Sequence, residues 1–189
     1  MEITRIWRED HDLIVRVLDA LEAALTEASR PLRVRRDVFE PFIEFLDSFM
    51  ERCHYPMEEK RLFPAVEECG IPFAGSPMAA MMHEHHLARG HLHTVAESLE
   101  SAVGGDPQAV ARFLENGRGL VTLLRQHADK EEHCVLGMAD RVLQGAAGEA
   151  ALQSFRKLQR GDDYQAAMRR CRTLADELTA AHRNRTGTP

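Results

Sequence analysis

Residues 46–66, LDSFMERCHYPMEEKRLFPAV, set Leu46, Met50, His54, Glu58, Leu62 and Val66 at intervals of four. Residues four apart share one face of an α-helix, so this row predicts a helix with an imidazole and a carboxylate on its apolar stripe. An isolated carboxylate in a core costs several kcal/mol unless it is paired or coordinated. The stretch therefore points to a helical core with a polar centre inside it.

Working outward, chain breakers mark the remaining helices. The first is predicted from about Thr4 to Ala28, before Ser29-Arg30-Pro31, and the second from near Asp37 to Cys69-Gly70-Ile71-Pro72, with Pro41 in its opening turn. Gly75-Ser76-Pro77 opens the third, with Ser76 placed to N-cap and Pro77 at the first helical position; Gly104-Gly105 stops it after about Val103. Asp106-Pro107 repeats the start signal for a fourth, running to about Gln144-Gly145. After Gly148, two shorter amphipathic stretches at 149–159 and 162–182 lead to a polar tail ending Thr186-Gly187-Thr188-Pro189, which is expected to fray.

Long helices with short connections predict an all-α fold: an antiparallel up-down-up-down four-helix bundle with two additional C-terminal helices. Residues 1–146 are expected to form the bundle, and 147–189 a helical hairpin packed on it. The other seams read Trp7, His11, Ile14, Leu18, Leu21, Leu25 in the first helix and Met78, Met81, His85, Ala88, Leu92, Val95, Leu99 in the third. The fourth reads Phe113, Gly117, Leu120, Leu124, His127, Glu131, Cys134, Met138. Every seam thus carries ionisable groups.

Composition narrows the function. Hydrophobic residues make up 44% and charged residues 29% of the 189 positions, the balance of a globular protein, and aromatics only 6%, which favours helix over strand. A net charge of −6 leaves no basic surface for nucleic acid, and the run Arg33, Arg35, Arg36 is offset at once by Asp37 and Glu40. No stretch reaches the ~18 apolar residues of a membrane span. The N-terminal MEITRIWRED has no apolar signal region, and Cys53, Cys69, Cys134 and Cys171 form no CxxC pair, so a reducing cytoplasm is the expected location.

Four histidines and two glutamates at one depth need a compensating positive charge, which one or two metal cations supply. His54 and Glu58 are four apart, as are His127 and Glu131, while His11 and His85 stand alone on their helices. From His11 to His54 is 43 residues and from His85 to His127 is 42, which reads as a two-helix unit used twice around a dinuclear site. Glu58 and Glu131 become the natural bridging carboxylates, and the imidazoles terminal ligands. Mixed nitrogen and oxygen donors suit iron or manganese, and zinc can use them too.

Plainer readings exist for individual residues. A single core histidine is usually satisfied by a carbonyl, but six polar groups at one level are not. His83, His86, Gly90 and His93 form a separate stripe expected to face solvent. Glu51-Arg52-Cys53-His54 contains an ExxH, yet the matching second copy of a ferritin-like site is missing. Pro56 is expected to bend the second helix beyond His54. Met50, Met78, Met81, Met82 and Met138 read as core filler.

Asp10-His11, Cys53-His54-Tyr55-Pro56-Met57-Glu58-Glu59 with Leu62-Phe63-Pro64, Met82-His83-Glu84-His85 with Arg89, and His127-Ala128-Asp129-Lys130-Glu131-Glu132 together resemble the bacterial hemerythrin-like (HHE cation-binding) family, over about residues 4–144. The resemblance implies two iron ions joined by an oxo or hydroxo bridge. It also implies binding or sensing of O2, NO or peroxide, or iron handling. Oxygen-carrying members use a fifth histidine in an HxxxH pair on the third helix; here Met81 and Arg89 flank His85 instead, which leaves a coordination position open and argues against reversible oxygen carriage. Tyr55 stands where many relatives have a second histidine and is a candidate near-site residue. A di-iron oxidase, peroxidase or catalase-like enzyme is the alternative to a binding module. No protein partner is identified.

Overall fold

Six helices carry the chain of the computed structural model, which describes residues 2–30 and 32–186. They are α1 (Glu2–Ala28), α2 (36–68), α3 (Pro77–Val103), α4 (107–142), α5 (Gly145–Gln159) and α6 (Asp162–Thr186). The fold is all-helical, with no strand among the described residues. The tail end beyond 186, expected to fray, lies outside the described residues.

Helix starts follow the local chemistry only in part. Asp106 caps α4 by accepting a hydrogen bond from the Ala109 amide at 2.7 Å. Ser76 occupies the equivalent position before α3 but does not cap it; its hydroxyl donates to the Phe73 carbonyl at 2.7 Å, fixing the loop instead. Gly148 does not delay α5, which begins at Gly145, where φ is +53°.

α2 is one helix interrupted by two wide, π-type turns, Phe49–His54 and Glu58–Leu62. The Tyr55 N–H reaches the Met50 carbonyl and the Phe63 N–H the Glu58 carbonyl, each five residues back. Pro56 and Pro64 lack the N–H groups that ordinary α-helical turns would bond to Arg52 and Lys60, and a wide turn closes just ahead of each proline. Geometry explains the strict spacing of the row. Steps of four overshoot an α-helical turn by about 40°, so five steps would carry the row about 200° around the helix. The wide turns absorb that rotation, and Leu46, Met50, His54, Glu58, Leu62 and Val66 all stay buried.

A third wide turn, Glu131–Leu136, lies in α4. It advances the inward face by one residue, so Val135 takes the core position and Cys134, expected on the seam, is exposed. All other seam residues of α1, α3 and α4 are buried as expected.

α3 packs along α4; α1 lies against α4, and α2 against α3. The last helix, α6, lies against α1 and α2, including the wide turn 49–54, and α5 reaches α1 and the turn 58–62. Phe155 of α5 meets Trp7 edge to face at 4.7 Å, both rings fully buried. Phe155→Ala is expected to destabilise the protein by about 3–5 kcal/mol in denaturant unfolding, since it empties a closed layer. A loss under about 1 kcal/mol would mean that α5 contributes little to the core.

Candidate metal centre

The wide turns aim the site. His54 ends the first, Glu58 begins the second and Glu131 begins the third, so three of the six expected ligands sit where the helix is loosened. His11, His85 and His127 project from regular helix. All six side chains are buried, Glu58, Glu131 and His85 completely.

The structure brings the six together. His54 Nε2 lies 2.7 Å from Glu58 Oε1, and His85 Nε2 lies 2.9 Å from Glu58 Oε2. His11 Nε2 lies 2.8 Å from Glu131 Oε2, with His127 Nε2 at 3.9 Å and His54 Nε2 at 4.0 Å from the same oxygen. Donor atoms of His11, His54, Glu58 and Glu131 fall within 4.8 Å of one another, as do those of Glu58, His85 and His127. Glu58 belongs to both sets.

Each ring turns Nε2 inward and Nδ1 outward, and three outer nitrogens face a carboxylate from the preceding helix. Asp10 of α1 stands 3.9 Å from His54 Nδ1, Glu59 of α2 lies 2.8 Å from His85 Nδ1, and Glu84 of α3 lies 3.1 Å from His127 Nδ1. Glu59 is held by Arg89 at 3.1 Å, and Glu84 by Lys130. The ring of supports breaks at His11. The Nδ1 atoms of His11 and His54 are both buried without a hydrogen-bond partner, but Asp10 still faces His54, whereas Glu132, in the position equivalent to Glu59, is turned to Arg8 at 3.1 Å. An open cleft of about 750 Å³, walled by His11, Val15, Arg125, Ala128 and Glu132, meets the centre on that side.

Asp10, Glu59, Glu84 and Trp7 were not assigned roles from sequence, although Trp7 Nε1 donates to Glu58 Oε1 at 3.2 Å. The available signal was adjacency: each of the three acids stands one residue from a ligand. Tyr55 stacks on His85 with ring centroids 3.7 Å apart, under Arg89, and its buried hydroxyl has no hydrogen-bond partner. His83, His86 and His93 are exposed.

The electrostatics set the two glutamates apart. Burial favours the neutral form of Glu58, but His54 and His85 outweigh it and hold its carboxyl well below the usual range. For Glu131, burial and the neighbouring charge of Glu58 win, pushing its pKa up to about 8. Burial opposes the charge on His54, yet Glu58 and Asp10 raise its pKa well above the ordinary value; burial and His54 together lower His11 to about 4. The donor set fits a metal by a structural criterion. His127 Nε2 and Glu131 Oε1 are buried and make no hydrogen bond, so donor atoms aimed into the centre lack a protein partner. Imidazole and carboxylate donors at this density suit iron, manganese or zinc.

Residues 2–139 match the family model described as Hemerythrin HHE cation binding domain. No curated protein and no solved structure matches the chain.

Two outcomes are expected. In the metal-free protein at pH 7, Glu131 and His54 both hold a proton, because both pKa values are raised. Metal uptake must therefore release protons, and affinity must fall as pH drops through about 8; titration in weak buffer measures this, and uptake without proton release contradicts it. Glu59→Gln and Glu84→Gln are each expected to weaken metal binding roughly 10–100-fold, while Glu132→Gln has little effect. Competition with a chelator of known affinity reads the difference, and equal losses in all three variants would refute the broken ring.

Proposed function

Since the chain belongs to the hemerythrin HHE cation-binding family, we propose that it holds two iron ions between Glu58 and Glu131 and binds a small ligand there. His11 and His54 would serve one ion and His85 and His127 the other, with both glutamates shared. The observation that carries this reading is the sharing of Glu58 by two buried donor sets. Manganese and zinc are the lesser alternatives. We propose the same reading for the architecture: α1 to α4 as an antiparallel up-down-up-down bundle forming the metal unit, with α5 and α6 packed on it, in a cytoplasmic protein.

The iron pair would supply redox chemistry and an open position for O2, NO or peroxide. The chain's own residues do the rest. Glu58 and Glu131 would neutralise the cations, Glu59 and Glu84 orient His85 and His127 through the outer nitrogens, and the charge of Asp10 faces His54 at 3.9 Å. Trp7 fixes the rotamer of Glu58. The buried sheath of Phe49, Tyr55, Phe63 and Phe155 keeps bulk water away, and the cleft beside His11 gives a small molecule its approach. The unsupported imidazole of His11 would be the ligand freest to move as that molecule arrives.

A second reading, peroxidase-like turnover, draws on Tyr55. Its phenol lies against His85 with an unused hydroxyl, and burial and the charge of Glu58 raise its pKa well above the ordinary value, so it stays protonated and keeps a hydrogen to donate.

NO titration of the reduced, iron-loaded protein tests the binding reading: a reversible optical change saturating per site is expected, and sustained consumption of peroxide without saturation would favour the enzyme instead. His54→Ala or His127→Ala is expected to lower metal content by at least one ion per chain, and His83→Ala or His86→Ala to leave it unchanged. Loss of metal in His83→Ala with retention in His85→Ala would reverse the assignment on α3.

A further inference from the structure

Each of the two central glutamates is followed by a second acid, Glu59 after Glu58 and Glu132 after Glu131. The two second acids behave differently. Glu59 Oε1 lies 2.8 Å from His85 Nδ1. Glu132 walls the same cleft as His11, yet it accepts from Arg8 Nε at 3.1 Å and leaves the buried Nδ1 of His11 without a partner. The placing of two arginines accounts for the difference. Arg89 stands four residues after His85, one helical turn beyond it on α3. It donates to Glu59 at 3.1 Å, is itself fixed by Glu51 at 2.7 and 3.2 Å, and lies over the Tyr55 ring at 4.8 Å. Glu59 is thereby held against the imidazole. Val15 occupies the corresponding place four residues after His11 and has no charge to offer. Arg8 stands on the other side, three residues before His11, and draws Glu132 that way. A metal-ligating histidine ordinarily donates its outer N–H to an acceptor, and a buried ring nitrogen without one is unfavourable. The acid that could relieve this at His11 is present and engaged elsewhere.

We propose that Arg8 is a positioning residue of the metal centre: by holding Glu132 it withholds from His11 the carboxylate that His85 and His127 receive, and so keeps that one ligand loose. The proposal rests on the reading of His11 as a metal ligand. Arg8 acts through Glu132. With Arg8 gone, the freed carboxylate turns to the outer nitrogen of His11, fixes the ring and makes its Nε2 lone pair a better donor to a cation. The Arg8–Glu132 pair is half exposed at both ends, 51% and 44%, and exposed ion pairs are weak, so opening it leaves the fold intact. Removing Arg89 has the opposite effect, because it takes from Glu59 the cation that holds it in place. The two halves of the centre thus differ by where one arginine stands as well as by their ligands.

The test uses the full chain and zinc, which takes the same donors and does not change redox state. In competition with a chelator of known affinity, Arg8→Ala is expected to tighten zinc binding roughly 10-fold and Arg89→Ala to weaken it by a similar factor. Arg8→Lys, which gives Glu132 a cation again, is expected to return the wild-type value. Loss of a positive charge beside a cation site tightens binding by itself, so Arg8→Ala is repeated in a Glu132→Gln background, where the gain is expected to vanish. No gain in the first background, or an equal gain in both, would overturn the proposal. A second readout needs no metal: nitrogen NMR of the histidine rings is expected to show a slowly exchanging Nδ1 proton on His11 in metal-free Arg8→Ala and none in the wild type. Absence of that proton from the variant would overturn the proposal too, while metal uptake by the wild type would leave the metal reading standing. If the proton appears but the wild type takes up no metal, the arrangement of Arg8, Glu132 and His11 stands and the metal reading falls.

Discussion

Two carboxylates buried at one level, surrounded by four imidazoles, are the constraint on which the rest of the structure depends. Glu58 and Glu131 cannot both be charged side by side in a dry core without positive charge between them. The metal-free chain resolves this by splitting their behaviour. Glu58 stays ionised against raised His54, and Glu131 takes up a proton. A pair of cations would remove the need for that compromise and let both act as anions.

The helix irregularities serve the same constraint. A regular helix rotates a row of fours off any single face. α2 carries both a histidine and a glutamate in that row and keeps them inward by widening a turn before each of two prolines. α4 widens at Glu131, with Val135 following it into the core. The cost of looser backbone hydrogen bonding falls where the ligands need to be aimed, and the aromatic layers of Phe45, Phe49 and Phe155 close around it.

Much of this was legible in the sequence, because burial periodicity and ligand spacing are both local signals. The seams of α1 and α3 are read residue for residue, and the six polar groups expected at one depth converge. The exceptions have physical causes. Cys134 was placed inward because a wide turn shifts register by one without leaving a proline in α4. Ser76 looked like a cap, but its hydroxyl had a nearer carbonyl. The outer acids Glu59 and Glu84 bond histidines on neighbouring helices, and Asp10 faces a third. Such contacts depend on how helices meet, which no local spacing encodes. The family match over residues 2–139 agrees with the motifs in the first four helices.

The most direct measurement is an anomalous-scattering map from crystals of the iron-loaded protein. The account predicts two peaks between Glu58 and Glu131, one beside His11 and His54 and the other beside His85 and His127. A single peak elsewhere, or none with the two carboxylates bonded only to protein and water, would contradict it.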